Sequence, residues 1–432
     1  MTSLPDLHNL PQPAGFPYFS YRNAELYAES VPLSELAQTY GTPLYVYSRA
    51  AIGSAWQSYV RAIGNHRVLV CYGMKANSNL AILQEFARLG SGFDIVSAGE
   101  LERVLRAGGD PRKVVFSGVG KQAWEMEKAL TAGVKCFNVE SVAELHRLSS
   151  VASRMGKLAP VSLRVNPDVD AQTHPYISTG LKENKFGIAI ETAAQAYALA
   201  KSLPGLQIVG LDCHIGSQIT EVSPYLDALE KLIILIRQLR DQGISLKHLD
   251  LGGGLGIRYD QETPLDPSVL LNEVFKRLSA SGLDHLEIVL EPGRSLVGNA
   301  GILLTQVQYL KPTADRSFAI VDAAMNDLMR PALYEAWHGV LPVKVRNAPT
   351  SLWDVVGPVC ESADWLAKGR QLAIEQDDIL AIESAGAYGF VMSGNYNSRP
   401  KVAEILVDGT QHHVIRERET FEDLVRGERL LD

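Results

Sequence analysis

Apolar residues fall in short runs, and between the runs they recur at i, i+3 and i+4. The runs predict strands buried on both faces, and the spaced pattern predicts amphipathic helices. Strands are expected over 68–75, 92–97, 114–117, 135–139, 161–166, 208–214, 248–251 and 287–290. Helices are expected over 80–89, 99–107, 123–132, 142–155, 192–203, 225–242 and 268–281. Gly90, Gly108, Gly133, Gly156 and Gly243 follow five of these helices, where a left-handed residue closes the last turn. Such alternation implies parallel pairing with right-handed crossovers. An unbroken series of strand–helix units favours closure into a (β/α)8 barrel over a doubly wound open sheet.

The ends of the chain read differently. Residues 1–42 are rich in proline and aromatics, and end in a helical stretch near 32–37 and a turn at 41–43. A strand follows at 43–47. Beyond about residue 300, the segments 301–307, 318–321, 353–356, 378–382, 402–406 and 412–415 alternate or are wholly apolar, with few helices between them. The expectation is an α/β protein: a (β/α)8 TIM barrel over 45–300, and a second, mostly antiparallel β domain built from 1–44 and 301–432. The strand at 43–47 is a candidate to join the second sheet. A length of 432 residues suits a barrel of about 250 residues plus one further domain.

Composition narrows the partners. The formal net charge is -8, which argues against a general binder of nucleic acid or anionic membranes. The longest apolar stretch, 232–236, meets Arg237 at once and falls far short of the roughly 20 residues of a membrane span. The first residues lack the basic and apolar regions of a secretory signal, so the cytoplasm is the expected location. No two of Cys71, Cys136, Cys213 and Cys360 are spaced as metal ligands, and no metal is expected.

In a barrel the carboxyl ends of all strands open onto one mouth. Lys75 ends the first strand. A desolvated amine there is a nucleophile able to form a Schiff base, although a lone lysine also reads as one snorkelling to solvent. Gly252, Gly253, Gly254 and Gly256 follow the seventh strand, where backbone N–H groups can crowd an anion; a tight turn is the alternative. Glu291 and Arg294 end the eighth strand, either as an ion pair or facing different parts of a ligand. His214 and Ser217 end the sixth, offering a ring to stack and a hydroxyl. Asp94, Glu100 and Arg164 reach the same mouth, where ion pairs or helix caps are the ordinary roles.

Together these segments resemble the alanine-racemase-like, fold-type III enzymes that use pyridoxal 5'-phosphate, and among them the amino-acid decarboxylases. The resemblance rests on Tyr72-Gly73-Met74-Lys75-Ala76-Asn77, Phe93–Glu100, Asn184-Lys185-Phe186-Gly187, His214–Gln218, Gly252–Gly254 and Glu291–Arg294. It continues through Met329–Tyr334, Cys360–Asp364 and Gly386-Ala387-Tyr388. It implies that Lys75 carries the cofactor as the internal aldimine, that His214 stacks on the pyridine ring, and that Glu291 keeps the ring nitrogen protonated. It further implies cofactor contacts from Asp94, Arg164, Ser217, Gly253, Gly254, Gly293, Arg294 and Tyr388. Arg294, Arg330, Tyr334, Glu361 and Tyr388 would bind substrate. Cys360, a candidate proton donor, and Glu361 would come from the partner subunit of a homodimer.

The reaction so implied is decarboxylation of meso-2,6-diaminopimelate to L-lysine. Loss of carbon dioxide leaves a carbanion for the pyridinium to absorb, and Arg294 and Arg330 suit the surviving carboxylate of a diacid. An ornithine- or arginine-type decarboxylase is the alternative within the cofactor class; its substrates lack that carboxylate. A homologue without turnover is set against by the presence of Lys75 with Cys360.

Overall fold

The computed structural model describes residues 10–170, 185–313 and 316–432. The chain divides into two compact units. One comprises 56–257 and 263–295; the other comprises the described residues up to 55, together with 258–262 and 296–432.

The first unit is a closed parallel barrel. Its strands are β1 (Val68–Gly73), β2 (Gly92–Ile95), β3 (Val114–Phe116), β4 (Cys136–Val139), β5 (Ala159–Asn166), β6 (Leu206–Asp212), β7 (His248–Asp250) and β8 (Glu287–Leu290). Each pairs with the next, and closure comes from Ile288, Val289 and Leu290 of β8 in register with Val68, Leu69 and Val70 of β1. The open-sheet alternative therefore does not hold. A two-residue strand, Ile188–Ala189, adds to β5; it is too short to show in the apolar pattern.

Local chemistry marks the ends of several helices. Asn79, Ser97 and Ser141 each accept an amide hydrogen from the first turn of helices Leu80–Arg88 (α1), Ala98–Arg106 (α2) and Val142–Arg154 (α3), the N-cap role of such side chains. All five glycines expected at helix ends take positive φ. Gly133, at φ 76°, returns its N–H to Ala129 O, a bond that a residue with a Cβ would make only under strain.

Side chains alternate between the two faces of each strand. Val70 and Tyr72 of β1 face outward, and the Tyr72 ring stacks on Phe86 of α1 at 4.0 Å. Leu69 and Cys71 turn inward to meet Val115, Cys136, Val209 and Val289 in an apolar floor. Above that floor the inward positions become polar: Asp94, Ser117, Asn138, Arg164, Asp212, Asp250 and Glu291 are all buried. Gly210 lies inward on β6, where a Cβ would sit 2.0 Å from the His248 ring, so glycine makes room for that imidazole.

The second unit is mostly antiparallel. Its main sheet runs Trp365–Leu372, Ser351–Val356, Ser317–Val321, Gly301–Pro312, Leu44–Ser48, Ala403–Asp408, Gln411–Arg416. Leu44–Ser48 lies between Gly301–Pro312 and Ala403–Asp408, so the early strand does join the late sheet. A small sheet (Phe19–Arg22, Glu25–Ala28, Val31–Pro32) escaped the sequence reading because strands of two to four residues carry no visible period. Phe19, Leu26, Leu33, Leu44, Val46, Ile302, Leu304, Ile405 and Val407 form this unit's core. Among the described residues no helix is long and apolar enough to cross a membrane.

Candidate active site

The barrel mouth collects most of the candidate residues. Lys75 lies just past β1, in the turn Met74–Ala76, because the strand ends at Gly73, whose N–H donates to Pro292 O. Its Nζ donates to Asp94 Oδ2 at 2.8 Å. Asp94 is buried on β2, and its Oδ1 has no hydrogen-bond partner among the described residues. Glu100 closes the β2–α2 loop by accepting from Val96 N–H, and burial pushes its carboxyl up to about 7. It serves the turn, as the cap reading allowed.

The loops after β6, β7 and β8 press on one another. Gly252 N–H donates to Asp250 Oδ1 at 2.9 Å, and Glu291 N–H donates to Gly252 O at 2.8 Å. A Cβ on Gly253 would lie 2.1 Å from Glu291 O. Gly254 takes φ 109°, and its Cβ would meet Gly216 O at 2.4 Å. Gly293 packs against Gly73, with its ideal Cβ 2.9 Å from the carbonyl. Backbone thus replaces side chains here, a surface suited to an anion. Ser217 adds a hydroxyl that accepts from Arg294 Nη2 at 2.8 Å.

His214 sits beside this loop. Its Nδ1 accepts from Gly253 N–H at 3.3 Å, so in the neutral ring the proton is on Nε2. Burial, aided by the positive charges of Arg164 and Lys75, holds the imidazole well below its usual pKa. A neutral flat ring at the mouth can stack on a heterocycle. Arg164 Nη1 donates to Glu140 Oε1 at 3.1 Å, and its guanidinium lies 4.8 Å above the Phe186 ring. Asn184, quoted in the sequence motif beside Phe186, lies outside the described residues.

Glu291 and Arg294 face different partners. The Glu291 Oε1 atom accepts from Ser117 Oγ and Asn138 Nδ2, each at 3.4 Å. Its carboxyl, with those of Asp212 and Asp250, presents oxygens within 4.8 Å of one another. Burial, then the neighbouring Asp250, Asp94 and Asp212 charges, push Glu291 well above the ordinary carboxyl range. Burial also lifts Asp212, and brings Asp250 up to about 6. Like charges this close oppose one another's ionisation, which favours the protonated form of the group. A carboxyl in that state can donate to a basic ring nitrogen.

Ser117, Asn138, Glu140, Asp212 and Asp250 were not singled out from the sequence. The signal was there in the period of two: Cys136, Asn138 and Glu140 alternate inward through an apolar strand, as do Asp212 and His214.

The remaining candidates belong to the other unit. Arg330 is buried and Tyr334 half-buried, at the two ends of helix Arg330–Tyr334. Cys360 is exposed, unlike the other three cysteines, and does not play the part of a small core residue that a lone cysteine suggests. Its N–H donates to Asn397 Oδ1 at 2.9 Å. Glu361 is exposed and accepts from Tyr396 OH. Tyr388 takes φ 55° in a turn after the strand Ile379–Ile382.

Pyridoxal 5'-phosphate fits the mouth chemically. An amine, a proton-bearing carboxyl shielded from water, a neutral ring and a cradle too tight for any Cβ match its aldehyde, ring nitrogen, flat face and phosphate. Comparison with known proteins agrees. Residues 49–298 match the family model described as "Pyridoxal-dependent decarboxylase, pyridoxal binding domain". A diaminopimelate decarboxylase of Pseudomonas aeruginosa is 60% identical over 413 residues, 96% of this chain and 99% of the relative. The structure resembles that of diaminopimelate decarboxylase from Helicobacter pylori complexed with L-lysine, with TM-score 0.87, 44% identity, and coverage of 91% of this chain and 98% of the other. It also resembles the enzyme of that name from M. jannaschii in co-complex with L-lysine, with TM-score 0.92, 37% identity, and coverage of 96% and 99%.

Proposed function

The chain belongs to the pyridoxal-dependent decarboxylases, and we propose that it converts meso-2,6-diaminopimelate to L-lysine and carbon dioxide. The observation that carries this reading is the buried carboxyl cluster Asp212, Asp250 and Glu291 in the same mouth as the Lys75–Asp94 pair. Pyridoxal 5'-phosphate, when bound, supplies a cationic ring that takes up the electron pair left as carbon dioxide departs.

The chain's own residues do the rest. Lys75 would hold the cofactor by its aldehyde, and Asp94 accepts from the Lys75 amine at 2.8 Å, keeping Nζ at one edge of the mouth. Glu291 would hold the ring nitrogen and serve as the counter-charge of a protonated ring. Neutral His214 would lie against one face of the ring. Ser217, Gly253, Gly254 and Gly293 would line the phosphate site, joined by Arg294 and Tyr388; Arg164, held by Glu140, would add positive potential.

The substrate's far end carries an ammonium and a carboxylate that survive the reaction. Arg294, Arg330 and Tyr334 are assigned to that carboxylate and Glu361 to the ammonium. Cys360 is assigned to return a proton to the reacting carbon. Cys360 and Glu361 are both exposed, which supports their supply from a second copy of the chain in a homodimer. Free cysteines and a chain without a membrane-spanning helix among its described residues are in keeping with the cytoplasm.

Incubating the loaded protein separately with meso-2,6-diaminopimelate, ornithine and arginine, and measuring released carbon dioxide, tests the reading. Release is expected from the first alone. Faster release from ornithine or arginine would reassign the substrate. A Lys75→Ala variant should release none.

A further inference from the structure

The second unit contains a histidine whose hydrogen bonds leave its protonation state no choice. His338 is fully buried, and Arg330 is 7% exposed. The Arg330 Nη1 and His338 Nε2 atoms are 2.8 Å apart, and His338 Nδ1 is 2.7 Å from Glu383 O. A guanidinium only donates, so Nε2 must accept; a carbonyl only accepts, so Nδ1 must carry the hydrogen. The ring is therefore neutral, in a single tautomer.

Its surroundings hold it still. Glu383 N–H donates to Gly339 O at 2.9 Å, tying the next residue to the strand Ile379–Ile382. A Cβ on Gly339 would lie 2.2 Å from Glu383 Oε2, so the Glu383 side chain packs directly against this glycine. Arg370 Nη2 donates to His338 O at 2.7 Å. Tyr259 meets the imidazole edge-on, with centroids 5.3 Å apart, and its ring lies 4.5 Å from the Arg330 guanidinium carbon. Arg330 is thus held between an aromatic face and a fixed nitrogen lone pair.

We propose that His338 is a positioning residue: it orients the Arg330 guanidinium for the substrate's surviving carboxylate, and so sets the preference for a diacid. This rests on the assignment of Arg330 to that carboxylate. A neutral acceptor suits the task. It fixes the plane of the guanidinium without cancelling its charge, whereas a carboxylate in the same place would compete with the substrate.

The test uses the cofactor-loaded protein and equilibrium binding. L-Lysine keeps the surviving carboxylate; 1,5-diaminopentane lacks it. The ratio of their dissociation constants, measured by calorimetry, reads the carboxylate contact without turnover. His338→Leu is expected to reduce the preference for L-lysine about tenfold, the loss of one charged hydrogen bond's worth of orientation. His338→Gln, which keeps an acceptor near Nε2, should recover part of it. The bound-cofactor absorbance should be unchanged in both. In an Arg330→Ala background, His338→Leu should add nothing further, because the two act as one unit.

An undiminished effect of His338→Leu in that background overturns the inference. So does a full preference in His338→Leu while Arg330→Ala abolishes it. If Arg330→Ala itself keeps the preference, the assignment of Arg330 fails, and the inference fails with it. Should His338→Leu not fold, His338→Gln and Arg330→Ala measured singly and together decide the same question.

Discussion

Asn138 and Glu291, 153 positions apart in sequence, meet inside the barrel, where the Asn138 amide donates to Glu291 Oε1 at 3.4 Å. Ser117 accepts from the same amide at 3.2 Å and donates to the same carboxyl oxygen. The carboxyl is steered by neutral donors at one oxygen, while Asp212 and Asp250 crowd it from neighbouring strands. Replacing Asn138 with Leu removes a donor and makes ionisation of Glu291 harder. The expected result is a fall in kcat of about tenfold, with the cofactor still bound. Asn138→Asp, which adds a fourth acid to the group, should do more harm. Steady-state kinetics with cofactor-binding titrations check both.

The acid group also predicts a pH effect in the cofactor-free protein. Asp250 is raised by burial to about 6, above its unfolded value near 3.9. Folding therefore favours its protonated form. The stability this contributes is complete below the unfolded value and is lost as pH rises through 6. Raised Glu291 and Asp212 act in the same direction. Asp250→Asn should gain thermal stability relative to the parent as pH rises from about 4 to 7. Paired melting curves across that range test it, and a constant difference would contradict it.

A buried lysine fixes the same region from outside the mouth. The Lys121 Nζ atom donates to Gly118 O at 2.8 Å, Asn138 O at 2.7 Å and Glu144 Oε1 at 2.7 Å. Its side chain is 0% exposed and that of Glu144 is 7%. Lys121→Met leaves Glu144 buried without its cation, and should cost about 3–5 kcal/mol. Adding Glu144→Gln should return much of that. Urea denaturation of the three proteins measures the difference.

If the site is shared between copies, two inactive variants should complement each other. A Lys75→Ala subunit lacks the amine, and a Cys360→Ala subunit lacks the thiol assigned to the other copy. Verified mixed dimers should regain about a quarter to a half of the parent activity per dimer, since one of two sites is rebuilt intact. No recovery in those dimers would count against a shared site.

The barrel is readable from the chain because strand–helix units carry local signals: an apolar run, a helical period and, after five of the helices, a closing glycine. Lys75, His214, the glycines and Glu291 stood out by position at strand ends. Lys75 was placed on the strand itself, but the backbone leaves the sheet at Gly73 to meet Pro292, a contact that only barrel closure creates. Asp212, Asp250 and Asn138 look ordinary one at a time. They become one charged group only when β4, β6, β7 and β8 share an interior. His338 was invisible for a related reason. Its partners include Arg330 and the Glu383 carbonyl, and the second is brought near by the pairing of Val340–Pro342 with Ile379–Ile382, which no local pattern foretells.

The floor of Leu69, Cys71, Val115, Cys136, Val209 and Val289 makes the barrel a vessel with one opening. Aliphatic side chains there offer no partner to a buried charge, so Asp212, Asp250 and Glu291 must be satisfied from their own layer and from the mouth above it.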